Sequence, residues 1–370
     1  MSDEIYFIAG ARPNFMKIAP LVHQSVEQGI KFKIIHTGQH YDYNMSRIFF
    51  ENLNIPEQEY YLNVGSGTHA YQTAKIMIEF EKLLIKEKPK LVVVVGDVNS
   101  TIACALVAKK LFIDVAHVEA GLRSFDRKMP EEINRVLTDQ ISDLLFTSEK
   151  DAEINLENEG IEEQKIFFVG NVMIDTLITN LEKAKLLDTY KSFGLLKNEY
   201  ALITLHRPSN VDIKEDLIKI VDALNYLTER IKVFFPVHPR TNKNLIGFGL
   251  YDQLISENLI IAEPVGYLDF LNLMINSKLI LTDSGGIQEE ASYLGIPILT
   301  LRENTERPIT VENGTNTIIG RDFDLLKRYI NDILASKYKK GQEIEGWDGK
   351  AARRIMEIIK KKYFDINTDV

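Results

Sequence analysis

Short apolar runs that never alternate with polar residues are what most constrain this chain. The clearest is LVVVV at residues 91–95, which stops at Gly96-Asp97 and leads into a helical stretch at 100–111. A strand with one wet face alternates apolar and polar residues, whereas a strand apolar on both sides must be covered on both. Such strands pair in parallel and need helical crossovers between them. Further candidate strands lie at residues 5–9, 32–37, 115–118 and 144–147, with a helical stretch at 73–86. A second series begins at Tyr200, at residues 201–205, 233–237, 259–264, 279–282, 296–300 and 317–319. A polar, lysine-bearing helical stretch over 175–197 separates the two series. The expected fold class is therefore α/β, with two doubly wound, Rossmann-like domains: residues 1–170 and residues 171–349. The helical segment in 350–370 is expected to complete the first domain. A chain of 370 residues, 45% of them hydrophobic, is long enough for two such cores with a ligand crevice between them.

The formal net charge of −9 argues against a general nucleic-acid binder. It does not exclude anionic ligands, because a few arginines and helix N-termini hold phosphate on an acidic protein. A single cysteine, Cys104, excludes an intramolecular disulfide, and its apolar helix STIACALVAKKL predicts a buried, inert thiol. No basic segment followed by an apolar run opens the chain, so no signal peptide is expected. No apolar stretch reaches the length of about 18 residues that a membrane span requires. A cytoplasmic protein without membrane or nucleic-acid partners is the expectation.

Chemistry-bearing residues gather at strand ends, the places that line the ligand crevice of an open α/β sheet. Asp97 follows the 91–95 strand, Glu119 ends the 115–118 strand, and Glu131 follows Pro130 at a helix start. Carboxylates gathered in a crevice serve as acid and base. Each also has a plainer use: Asp97 as a helix cap, Glu131 as a complement to a helix dipole. Glu119 suits no such role, because an acidic group interrupting an apolar strand end needs a partner.

The first strand leads into Gly10-Ala11-Arg12-Pro13-Asn14-Phe15-Met16-Lys17, where Arg12 and Lys17 stand at a helix entrance suited to phosphate. The G-x-G-x-x-G fingerprint of dinucleotide binding is absent there. In LILTDSGGIQEEA, Ser284, Gly285 and Gly286 open a helix that carries Gln288, Glu289 and Glu290, so backbone donors can approach a diphosphate and a Glu one turn inside can accept from ribose hydroxyls. His206 in LHRPSN and His238 in PVHPR follow successive strands, with Arg207 and Arg240 close behind. These histidines suit acid–base work or phosphate. His36 and His40 flank Gly38, yet no HExxH or Cys/His spacing marks a metal site, so no metal is expected.

Taken together, GARPNFMKIAP, HTGQHYD, GDVNST, HVEAGLRSFDRKMPEEINR, LHRPSNVD, PVHPRT, TDSGGIQEEA and LRENTERPITVENGTN resemble the non-hydrolysing UDP-N-acetylglucosamine 2-epimerases along nearly the whole chain. The resemblance implies a GT-B arrangement of two Rossmann-like domains with the active site in the interdomain cleft, a homodimer, and no cofactor. It implies interconversion of UDP-GlcNAc and UDP-ManNAc by elimination of UDP to 2-acetamidoglucal and readdition, in the service of polysaccharide biosynthesis. The matching catalytic positions are Asp97, Glu119, Glu131 and His206. Those matching the UDP site are Arg12, Lys17, His238, Arg240, Ser284, Gly285, Gly286, Glu290 and Arg307. Which carboxylate serves which face of C2 stays open. Members activated by substrate at a second site carry a Gln-rich segment where this chain has Gln39-His40-Tyr41-Asp42, and an Arg where Tyr71 precedes Gln72-Thr73, so that activation is not expected. A UDP-2,3-diacetamido-glucuronate epimerase is the nearest alternative. A GT-B glycosyltransferase would share the SGG…E end but have no use for three gathered carboxylates.

Overall fold

A computed structural model describes residues 2–38, 53–56, 60–254 and 256–365; the side chain of Arg12 and the Gln39–Asp42 segment fall outside this description. The first sheet contains β1 (Ile5–Ala9), β2 (Phe32–His36), β3 (Tyr60–Tyr61), β4 (Leu91–Val95), β5 (Asp114–Ala120), β6 (Leu144–Thr147) and β7 (Ile166–Phe168). Their order is β3-β2-β1-β4-β5-β6-β7, and every pairing is parallel. The second sheet contains β8 (Tyr200–Thr204), β9 (Lys232–Pro236), β10 (Leu259–Ala262), β11 (Leu279–Thr282), β12 (Ile298–Thr300) and β13 (Asn316–Ile318). It is also parallel throughout, in the order β10-β9-β8-β11-β12-β13. Both orders are those of a doubly wound Rossmann-like sheet, as the sequence pattern predicts.

The non-alternating runs are explained by what covers them. In the second sheet Ala201, Ile203, Val233, Phe235, Leu279 and Leu281 pack on helices Lys214–Thr228 and Phe323–Leu334. The intervening residues Tyr200, Leu202, Phe234 and Ile280 pack on Leu273, Met274 and Ala291 from the other side. Each strand therefore presents apolar side chains to two helical layers. In the first sheet Tyr6, Ile8, Val92 and Val94 meet Ile76, Phe80 and Leu84 of helix His69–Lys86, and Cys104 of helix Asn99–Lys110 is buried among them.

The chain divides into two compact units, Met1–Thr176 with Glu345–Val370, and Leu177–Ile344. The division falls inside helix Val172–Lys185. In the first unit, helix Ala351–Tyr363 buries Ala351, Ala352, Ile355, Met356 and Ile359. Its free N-terminal amides of Ala351 and Ala352 donate to the Asp175 carboxylate at 3.2 and 2.7 Å. No helix among the described residues is long and apolar enough to cross a membrane.

Strand order reverses between β1 and β4 in the first sheet and between β8 and β11 in the second. At such a switch point neighbouring crossovers leave to opposite faces, and a crevice opens at the strand carboxyl ends. Gly10 sits at the first one. A Cβ there would lie 2.1 Å from Ser100 Oγ, so only glycine lets helix Asn99–Lys110 start against the end of β1.

Candidate active site

The carboxyl end of the first sheet carries the acid–base candidates. Glu119 interrupts β5 where the register with β6 shifts between Val118 and Ala120. Its φ is +68°, left-handed, which costs a non-glycine residue about 1–3 kcal/mol and persists only where the surroundings enforce it. The bend turns an acidic side chain into what would otherwise be an apolar strand layer. There Lys17 Nζ lies 2.5 Å from Glu119 Oε2, both groups nearly fully buried. Lys17, expected at the nucleotide, is thus held by a carboxylate of its own unit. Gly96 lets this pair approach, since a Cβ on it would sit 2.8 Å from the Lys17 ammonium.

Asp97 follows β4 directly. Arg135 reaches it through Nε at 3.0 Å and Nη2 at 2.6 Å, while Asn134 donates to the Asp97 carbonyl at 2.9 Å. Asp97 does not cap the following helix, whose cap residue is Val98. Glu131 stands in the first turn of helix Pro130–Ile141, half-buried, where the positive end of the dipole favours a negative charge.

Its neighbour Glu132, which the sequence did not single out, is the buried one. It accepts from the backbone N–H groups of Ser124 and Phe125 at 2.9 and 2.8 Å, and from Arg135 Nη1 at 2.7 Å. Glu132 thus fixes the loop between β5 and this helix, and Arg135 links Glu132 to Asp97. Of the expected set, Asp97, Glu119, Glu131 and Lys17 all belong to this one sheet end. His36 instead folds inward: its Nδ1 accepts from Gly38 N at 2.8 Å, and its ring packs on Phe15 and Tyr61.

The second sheet presents a different constellation at its switch point. Asp283 follows β11 and is fully buried. It accepts from the backbone N–H groups of His206 and Arg207, at 3.0 and 2.9 Å, and from Asn210 Nδ2 at 3.1 Å. His206 Nδ1 lies 3.0 Å from Asp283 Oδ1, while the ring remains 42% exposed. Burial pushes the Asp283 carboxyl up, but His206 and these donors outweigh it and hold it below the usual carboxylate range. The His206 ring faces His238 at 5.5 Å between centroids. His238 caps its own helix by accepting from Arg240 N. The Arg240 guanidinium pairs with Asp212 at 2.8 and 2.7 Å in an exposed position.

Ser284 holds the N-cap position of helix Gly285–Tyr293 beside that point, with no capping bond from its side chain. A Cβ on Gly285 would stand 2.7 Å from Glu306 Oε1 and 3.1 Å from Arg307 Nη1. The glycine therefore admits a buried network against the helix start. Arg307 lies 2.7 Å from Glu289 and from Glu306, and Arg302 lies 2.7 Å from Glu306. Glu290 is buried one turn in and accepts from the Tyr267 hydroxyl at 2.8 Å. Burial pushes its carboxyl up to about 7, opposed by that hydrogen bond and reinforced by the charge of Glu289. The second unit thus offers helix-start donors, two buried arginines and a carboxyl poised near neutrality. No group of three or more metal-ligating side chains occurs among the described residues.

The sequence model of the UDP-N-acetylglucosamine 2-epimerase family matches residues 24–360. The UDP-N-acetylglucosamine 2-epimerase of Methanocaldococcus jannaschii is 50% identical over 96% of this chain and 98% of its own length. The UDP-2,3-diacetamido-2,3-dideoxy-D-glucuronate 2-epimerase of Pseudomonas aeruginosa is 42% identical over 97% of this chain and 99% of its own. A crystal structure of the Methanocaldococcus jannaschii UDP-GlcNAc 2-epimerase, in complex with UDP-GlcNAc and UDP, superposes with a TM-score of 0.90 at 48% identity, covering 97% of this chain and 99% of that one. With two Rossmann-like sheets in succession and this likeness over nearly its full length, the chain has the GT-B fold and belongs to the UDP-N-acetylglucosamine 2-epimerase family, a family of isomerases.

Proposed function

We propose that the protein interconverts UDP-N-acetylglucosamine and UDP-N-acetylmannosamine without net hydrolysis. The observation that carries this is the set of acidic groups at the carboxyl end of the first sheet, with Glu119 driven into a left-handed bend beside Lys17. Inverting C2 requires that its proton leave one face and return on the other. C2–H is not acidic by itself, so its removal is coupled to breaking of the C1–O bond. The C–H electron pair becomes the C1=C2 bond of 2-acetamidoglucal, and UDP leaves with the C1–O pair. Readdition of UDP, with the proton delivered to the opposite face, gives the epimer. Proton and leaving group account for every electron, so the sequence of steps calls for no redox cofactor.

Asp97 and Glu131 serve as the proton-transferring groups in this proposal, and Glu119 positions or shares a proton with them. His206, oriented by Asp283, assists the departing diphosphate. Ser284, Gly285, Gly286 and Arg307 hold that diphosphate, with Arg12, Lys17, His238 and Arg240 as further cationic or donor groups. The greater identity to the Methanocaldococcus jannaschii UDP-N-acetylglucosamine 2-epimerase, 50% against 42% to the diacetamido-glucuronate epimerase, supports UDP-GlcNAc over the uronate.

NMR of UDP-GlcNAc incubated with the protein in D₂O tests the assignment. Deuterium at C2 together with UDP-ManNAc is the expected result. Exchange only with the diacetamido-uronate would move the substrate to that sugar, and exchange with neither would end the reading.

Glu290 supplies a pH signature of nucleotide binding. Ribose hydroxyls donate to its ionised form, so binding expels the proton that the empty site holds below about pH 7. Affinity for UDP-GlcNAc, whose diphosphate diester does not titrate there, should rise from about pH 6 and level off by about pH 8. Calorimetry in buffers of different ionisation enthalpy should register proton release at the lower end. An affinity flat across that range would remove Glu290 from the ribose.

A cytoplasmic homodimer that supplies UDP-ManNAc for polysaccharide biosynthesis completes the proposal. Tyr71, Ile78 and Ile85 recur every seven residues on helix His69–Lys86 and are 56%, 54% and 71% exposed. Ile133 and Leu137 are exposed on helix Pro130–Ile141, and both helices pack on helix Asn99–Lys110. Such a stripe suits a self-complementary two-fold contact. Light scattering should give twice the chain mass of 42.3 kDa, and a monomer would remove the dimer.

A further inference from the structure

Beneath the acidic end of the first sheet lies a second polar layer that the proposed reaction does not use. His117 and Asp139 are fully buried, and Arg123 is nearly so. His117 Nδ1 lies 2.6 Å from Asp139 Oδ1, and its Nε2 lies 2.8 Å from the Gly96 carbonyl oxygen. A carbonyl only accepts, so Nε2 carries a hydrogen. Burial pushes the Asp139 carboxyl up, yet His117 and Arg123 outweigh it and hold the group below the usual carboxylate range. One hydrogen lies between His117 Nδ1 and Asp139 Oδ1 and ties the ring to the carboxyl group. The other Asp139 oxygen accepts from Gly121 N at 3.1 Å and lies 2.7 Å from Arg123 Nη2.

One carboxylate therefore holds the chain on both sides of Glu119. It grips His117, two residues before, through the ring, and Gly121, two residues after, through the amide. Between these anchors lies the left-handed Glu119 at the register shift of β5. The far side of the same imidazole holds the Gly96 carbonyl, which belongs to the peptide leading into Asp97. The helix carrying Asp139 carries Arg135 one turn earlier, bonded to Asp97, and Glu131 one turn before that. Spacings of four along a helix keep these three on one face. A single rigid element is thus connected to all three acid–base candidates.

We propose that Asp139, acting through His117, is a positioning residue of the reaction: it fixes the bend that aims Glu119 and the peptide that precedes Asp97, without touching substrate. This rests on the reading that those carboxylates move protons at C2. A misplacement of about 1 Å in such groups lowers turnover by as much as about 10²-fold while leaving ligand contacts elsewhere intact. A merely structural role would lower stability, binding and turnover together.

The test uses the full-length protein with UDP-GlcNAc in D₂O. Asp139→Asn keeps the shape but cannot accept at both oxygens. It should lower kcat for C2 exchange by about 10- to 100-fold, with KM and the UDP dissociation constant within about twofold of the parent. His117→Gln, whose amide still reaches Gly96, should do the same and serves as the second route where Asp139→Asn fails to fold. Because the two residues act in series, the double variant should be no slower than the slower single. Unchanged kcat in either folded variant, a parallel loss of kcat, UDP binding and melting temperature, or multiplicative effects in the double variant would each overturn the proposal. The parent protein run alongside separates the layers: parent exchange with unaffected variants refutes the positioning role alone, whereas no exchange in the parent refutes the reaction and the role together.

Discussion

Glu119→Gln should lower C2 exchange by about 10²-fold or more while the affinity for UDP stays at the parent value, because a general acid–base group contributes about 10²–10⁴ and an amide cannot take up the proton. The geometry complicates the experiment in a useful way. Glu119 is buried against the Lys17 ammonium at 2.5 Å, so the amide removes the partner of a buried cation as well as a titratable group. Breaking such a pair from one side costs about 3–5 kcal/mol, whereas replacing both partners with apolar groups of similar size is often neutral. Thermal unfolding should therefore fall in the single variant. Adding Lys17→Met should recover most of that stability and none of the turnover. If turnover returned with stability, Glu119 would be a structural anchor for Lys17 and the acid–base assignment would rest on Asp97 and Glu131 alone. Parent-like turnover in Glu119→Gln would remove it from the chemistry outright.

What the sequence reveals and what it hides divide along physical lines. Strands such as β1 and β4 are legible because every residue is buried between two helical layers, and their apolar runs have no other use. β3 and β7, of two and three residues, close the two edges of the first sheet and are only partly buried; β3 is just Tyr60–Tyr61, and the Ile-Phe-Phe of β7 is too short a run to stand out beside the longer buried strands. Asp97, Glu119, Glu131 and His206 are legible because an acidic or basic residue at the end of an apolar strand, or at a helix start, is conspicuous. Their partners are not. Arg135 meets Asp97 across 38 positions and Asp139 meets His117 across 22, contacts set by how a helix lies on a strand. A trace survives in the spacing of Glu131, Arg135 and Asp139, where two of three charged residues on one helical face are buried. The left-handed backbone at Glu119 leaves no trace, since the residue that adopts it is not a glycine.

Asp283→Ala should destabilise the protein by about 3 kcal/mol or more, although no expected catalytic residue is itself replaced. Asp283 is fully buried and gathers the amides of His206 and Arg207, the side-chain amide of Asn210 and the His206 ring onto one carboxylate. Alanine leaves these donors facing a void, and each buried donor without an acceptor costs about 1–3 kcal/mol. Hydrogen exchange at the amides of His206 and Arg207 should quicken, and calorimetric unfolding should shift downward. The sign with pH follows from the carboxyl being held below its ordinary range. A depressed pKa adds stability that is complete above the unfolded value of about 3.9 and is lost as pH falls through the folded value. The gap between parent and variant should therefore be widest near neutrality and narrow below about pH 4. A gap that stays constant on acidification would mean that the loss comes from packing alone, and that His206 is aimed by its backbone rather than by the charge beneath it.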